Sequence, residues 1–250
     1  MNTILIAIII SACLIGVVLL GMRLRRWLPD NQMTPDTKDT VKLAMGLVAT
    51  MTALLLGLLV SSAKSAYDTT RDEVIAMAAK VSYLDGILTA YGPEALNARA
   101  LLRAGIETAV RGMWPGKRAE AVRPAPSPQT GDALYAAIQK LAPQDEPQRG
   151  LKVQAASLAV ELRRLRYLLL VQSVSSISMP LLWIVVSWLL VIFLSFSVLA
   201  PSNATAIAAL IAAALSVSGA IFLILEFDRP FSGLAQIPSE PIKNAVGQVL

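Results

Sequence analysis

The chain has 250 residues, 55% of them hydrophobic and only 16% charged, with a net charge of +5 and a mean hydropathy of +0.61. A soluble domain carries about a quarter charged residues, so this composition excludes an ordinary soluble fold. A single cysteine excludes an internal disulfide, and the absence of histidine removes a His-based metal site, a Ser-His-Asp triad and a Cys-His dyad.

Thr3 to Met22 contains no Asp, Glu, Lys or Arg. That is the length a helix needs to cross a hydrocarbon core of about 30 Å. It lacks a basic start, and its arginines follow in RLRR at 23 to 26. It therefore reads as a retained span and not as a cleaved leader. A second charge-free run covers Leu43 to Ala63. Its Gly46, Thr50, Thr52 and Gly57 suit close helix packing. Its Met51, Leu54, Leu55 and Leu58 suit either a hydrophobic gate or plain lipid contact.

Residues 64–178 read as a helical extramembrane insert. The stretch SSAKSAYDTTRDEV places Asp68, Arg71 and Asp72 three or four apart on one helical face. The plainer reading is a solvated helix start. The sharper one is a charged pore mouth at Lys64, Asp68 and Arg71, which requires an oligomer around an axis. From Val74 an apolar seam runs through Met77, Val81, Leu84, Leu88 and Tyr91, alternating three and four residues, and Gly92-Pro93 ends it. A second helix is predicted from Pro93 to Met113, stopped by WPG at 114–116. KRAEAVRPAPSPQTG at 117–131 reads as a loop. A short helix is expected over Asp132 to Ala142, capped by Thr130 or Asp132. A long helix from Gln148 carries the seam Leu151, Ala155, Leu158, Leu162, Leu165 and Leu169. The two seams pair most simply within one chain.

Tyr167 to Leu225 is again free of charge, broken by Pro180 and by APSN at 200–203. It divides into spans at 180–199 and 204–225. Ala208, Ala212, Ser216 and Gly219 give the last span a small-residue face. Then comes ILEFDRPFSG. Glu226 and Asp228 mark the end of a span, Pro230 ends the helix and Gly233 permits a turn. The pair of acids reads either as an interfacial stop or as a carboxylate pair that binds a cation or, in a turn with Pro230 and Phe231, docks against Lys64 or Arg71. The fold class is thus an all-α integral membrane protein with four transmembrane helices and a helical bundle inserted between the second and third. The regions are 1–63 (spans 3–22 and 43–63), the insert 64–178, 179–226 (spans 180–199 and 204–225), and a tail 227–250. Lys and Arg divide five to eight between the two faces, so the positive-inside rule leaves orientation open.

Two stretches resemble a known family. LLGLLVSSAKSAYDTTRDEV at 55–74 is similar to the bestrophin pattern of an apolar span running into small, aromatic and acidic residues. EFDRPFSG at 226–233 resembles the acidic Pro-Phe turn after the fourth bestrophin span. With the order two spans, insert, two spans, the chain looks like the bestrophin-like membrane proteins widespread in bacteria, and more remotely like bestrophins themselves. The resemblance implies a homo-oligomer, a pentamer in bestrophins, passing small anions along an axis lined by the second span. It also implies a bacterial inner (plasma) membrane. The second span lacks the aromatics of a bestrophin pore neck, and only Ser232-Gly233 stands where a bestrophin calcium site has its acidic run. The expected function is a channel for small ions, anions by the resemblance. The alternative is a membrane-anchored helical scaffold or signalling protein. Expected partners are the lipid bilayer and further copies of the chain. No enzyme activity, cofactor or nucleic-acid partner is expected, since no nucleophile–base pair, phosphate loop or clustered basic patch occurs.

Overall fold

A computed structural model describes residues 3–27, 34–114, 128–172, 179–201 and 203–247. The described residues form helices and turns, with no strand among them. The helices are α1 (Thr3–Arg25), α2 (Pro35–Tyr91), α3 (Leu96–Met113), α4 (Pro128–Gln139), α5 (Glu146–Gln172), α6 (Met179–Leu199), α7 (Ala204–Phe227) and α8 (Glu240–Gly247), with a 3-10 turn at Pro93–Ala95. They fall into two compact units. One comprises residues 1–66 and 176–228, the other 67–175 and 229–250. The 117–127 part of the expected proline-rich loop lies outside the described residues.

The first unit holds α1, α6, α7 and the first half of α2. All four helices are long and apolar enough to cross a membrane. α1 packs along both α6 and α7. The core gathers Leu14 and Val18 of α1, Leu59 and Ala63 of α2, Leu182, Val185, Leu189 and Phe193 of α6, and Ala214, Ile221, Ile224 and Leu225 of α7. α1 approaches α6 closely at Gly21, where a Cβ would stand 1.8 Å from Ser197 Oγ and 3.1 Å from the Leu194 carbonyl oxygen. Small residues let helix backbones meet in this way. The expected close-packing glycines are different: a Cβ on Gly46, Gly57 or Gly219 meets nothing within 4 Å. Arg25 donates to the Ala200 carbonyl, tying the last turn of α1 to the α6–α7 loop. Asn203 caps α7 through its Oδ1, which accepts from Ala206 N at 2.9 Å.

α2 is longer than the charge-free run in its sequence. Pro35 occupies its first turn, Thr34 Oγ1 accepts from Thr37 N at 3.2 Å, and Asp36 complements the positive end of the helix dipole. No proline interrupts the chain from there until Gly92, whose φ of 118° suits only glycine, and Pro93. The helix therefore continues without a break past Ala63 into the second unit.

In the second unit the two predicted seams meet in one intrachain core with residues of α3, α4 and α8. α3 packs on α4 and α8, and α4 on α5. Lys80 of α2 pairs with Glu161 of α5. Asp85 of α2 takes a two-pronged hydrogen bond from Arg99 of α3, with Nε to Oδ1 at 2.7 Å and Nη2 to Oδ2 at 3.1 Å. α4 begins at Pro128, so Asp132 sits inside the helix instead of capping it and accepts from Arg163 Nη1 at 2.7 Å. The tail returns to this unit. Ile237, Ile242 and Ala245 are buried in its core.

Candidate functional site

The functional candidates lie on α2 and at the end of α7. In the first unit α2 turns Leu59 and Ala63 into the core, with Leu55, Leu56 and Val60 half-buried against it. The opposite face carries Leu43, Leu47, Met51, Leu54 and Leu58, between 52 and 77% exposed within the chain. Successive steps of four, four, three and four residues keep these side chains on one line. The predicted pore-lining residues Met51, Leu54 and Leu58 are thus together on a face that is largely exposed among the described residues.

Lys64 is exposed, and its ammonium lies over the Phe227 ring, 5.8 Å from the centroid. A cation at that distance from an aromatic face is attracted by the ring quadrupole. The side chain is therefore engaged with the end of α7. In the second unit Arg71 and Asp72 are exposed and Asp68 is half-buried. The face of α2 turned away from Val74, Met77, Val81, Leu84 and Leu88 bears Ile75, Ala79, Tyr83, Gly86 and Ala90, all exposed. Tyr83 is the most open of these large side chains at 60%.

The acidic turn divides between the units. Glu226 belongs to the first and is only 2% exposed. It accepts a hydrogen bond from Thr3 Oγ1 at 2.9 Å, itself a buried residue. An interfacial stop would leave this carboxylate in water. Instead its register on α7 follows Ile221, Ile224 and Leu225 inward, and Thr3 at the start of α1 supplies a donor. Asp228 is half-buried and follows the last turn of α7, its N donating to the Ile224 carbonyl at 3.2 Å.

Pro230 and Phe231 belong to the second unit. Pro230 is buried, and its carbonyl accepts from Ile237 N at 2.7 Å, closing the turn that Gly233 passes through with φ 100°. Phe231 meets Trp114 edge to face at 5.1 Å, and Trp114 Nε1 donates to the Ile237 carbonyl at 2.8 Å. Trp114 was legible in the sequence only as part of a helix stop, and Thr3 only as a polar residue in a span. A tryptophan beside a stop signal, with an aromatic turn far along the chain, was the clue to the Trp114–Phe231 contact. Burial pushes the Tyr91 phenol upward, and the Glu94 and Asp145 charges add to the shift. The Asp85 carboxylate raises Arg99 by hydrogen bonding, against an opposing effect of burial. Among the described residues no group of three or more acids or cysteines is arranged to hold a metal ion.

A search of curated proteins and of solved structures returned no match to this chain. A family model for the Bestrophin-like domain matches residues 12–242. That stretch takes in the first long apolar helix from residue 12 on, the other three in full, the helical insert between them and the acidic Pro-Phe turn, in the order of the sequence resemblance. The chain is an integral membrane protein and belongs to the Bestrophin-like family.

Proposed function

We propose that the protein is a homo-oligomeric pore for small ions, with the exposed face of α2 turned toward a shared axis. One observation carries the reading: Leu43, Leu47, Met51, Leu54 and Leu58 form a continuous apolar line that is more than half exposed among the described residues. Lipid contact would also suit such a line. Family membership favours the pore, because the family is associated with channels and its resemblance to bestrophins implies oligomers. A leucine girdle on that axis would act as a hydrophobic constriction, opening and closing by wetting. The permeant implied by the resemblance is a small anion.

The test is ion efflux from liposomes holding the purified protein, against protein-free vesicles. Flux supports the pore. Its absence across voltage, pH and calcium refutes it. A second reading, a membrane-anchored scaffold, is favoured by α5. Val153, Val160 and Tyr167 stand seven residues apart on its outer side and are exposed, which would suit a partner helix.

A further inference from the structure

Within the second unit α2 and α5 run antiparallel. Gln148 Nε2 donates to the Tyr91 carbonyl at 3.2 Å, and Lys80 pairs with Glu161. The apolar seams of both helices enter the shared core, so each helix turns its opposite side outward. Both helices rise equally per residue, so positions counted away from the Tyr91–Gln148 contact give heights along the pair.

On that count Gly86 and Val153 are each five residues away, Ala79 and Val160 twelve, and Asp72 and Tyr167 nineteen. Tyr83 is eight away and Ser157 nine. All of these side chains are exposed and lie opposite the core seams. At each of the three apolar heights one helix offers a large side chain and the other a small one. Val153 stands level with Gly86, Tyr83 with Ser157, and Val160 with Ala79. Surfaces matched in this way interdigitate at the density of a protein interior.

The two faces also match in charge. α5 has Arg163, Arg164 and Arg166 after Glu161, and no acid from there to Gln172. At that height α2 has Asp68, Asp72 and Glu73 against Arg71. Arg164 is exposed one turn from Tyr167, whose hydroxyl can donate to a carboxylate at the height of Asp72. Both faces turn away from the core they share, so they meet only between copies. Two α2 faces at equal height would oppose Tyr83 to Tyr83 and Asp72 to Asp72. Two α5 faces would oppose Val160 to Val160 and Arg164 to Arg164, so unlike faces fit and like faces repel. We infer that the α2 face of one copy packs on the α5 face of the next, head to tail, in a closed ring whose axis runs along these helices. The inference rests on the reading that copies of the chain assemble, and it names the surfaces that join them.

The experiment is disulfide cross-linking of the full-length protein in membranes, in a Cys13→Ser background, with copper phenanthroline as oxidant and a non-reducing gel as readout. Gly86→Cys/Val153→Cys should give a ladder that passes the dimer, because each copy then links to two neighbours. Ala79→Cys/Val160→Cys should give the same ladder and covers the case in which Gly86→Cys does not fold. Each single-cysteine chain should stay monomeric. So should Gly86→Cys/Tyr167→Cys, whose thiols are about 20 Å apart in height. A product that stops at the dimer, or single-cysteine chains that link to themselves, overturns the head-to-tail arrangement. Unlinked chains that glutaraldehyde still captures as an oligomer overturn these surfaces and leave the assembly standing. Chains that neither reagent links overturn the assembly, and the pore reading with it.

Discussion

Replacing Arg99 with leucine perturbs the contact that fixes the insert half of α2 against α3. Asp85 and Arg99 side chains are 9 and 17% exposed, and their two hydrogen bonds run in parallel. Two-pronged guanidinium–carboxylate pairs are among the stronger polar contacts. Removing one partner of a buried pair costs about 3–5 kcal/mol, because the remaining charge is left without its counter-charge. Some water reaches the Arg99 side, so the lower end, about 3 kcal/mol, applies here. For a chain of this length about 1 kcal/mol moves the midpoint by about 2–4 °C, giving a fall of about 6–12 °C for Arg99→Leu. Asp85→Leu strands the guanidinium, which its exposed side hydrates more easily, and costs less. The double change removes both charges and recovers most of the loss, since apolar replacements of buried pairs are often neutral. Thermal unfolding of the purified full-length chain in detergent, followed by circular dichroism, reads all three variants. An Arg99→Leu loss below about 1 kcal/mol would refute the reasoning, as would single effects that simply add in the double variant.

Gly21→Ala forces a methyl into Ser197 and the Leu194 carbonyl, and overpacking of this kind costs about 1–3 kcal/mol. Ser197→Gly in the same chain should restore most of it, read as the melting midpoint. Trp114→Ala removes both the Phe231 edge contact and the bond to the Ile237 carbonyl, for about 2–4 kcal/mol. The tail after Pro230 should then be cut by protease faster than in wild type, whereas Trp114→Phe should give an intermediate rate. Tyr91 has a folded pKa raised above its unfolded value near 10. Its neutral form therefore contributes stability that is complete below that pH and is lost as pH rises through the folded value. Ultraviolet tyrosinate absorbance should show one late-titrating phenol, absent in Tyr91→Phe, and that variant should lose less stability than wild type at high pH.

The four long apolar helices were legible because a charge-free run of about 20 residues suits little besides a membrane crossing. The seam from Val74 to Tyr91 was legible because its spacing specifies a helix face whatever covers it. Where the chain touches itself was less so. Gly46, Gly57 and Gly219 read as packing glycines, yet Gly21 makes the close approach, because contact depends on which helices are neighbours and not on residue size. Glu226 looked interfacial since a carboxylate in a core is costly, and the hydrogen bond from Thr3, over two hundred residues away in the chain, offsets part of that cost. The reach of α2 back to Pro35 was missed because its first turn is charged, although Thr34, Pro35 and Asp36 together form a helix start. Met51, Leu54 and Leu58 of the Leu43–Leu58 line, by contrast, were named from the sequence, together with Leu55, which packs against the core instead. The exposure of that line within the chain could not be read there.

That line is most directly tested by water-soluble thiol labelling of single cysteines placed from Gly46 to Ala63 in a Cys13→Ser background, in reconstituted vesicles. The Cys13 replacement is needed because the native thiol is free and exposed. A water-filled axis predicts labelling that peaks at Leu47, Met51, Leu54 and Leu58, with protection at Leu55, Leu59 and Ala63. Equal protection of both sets in vesicles that are passing ions would place the leucine line in lipid or in a dry contact and contradict the pore.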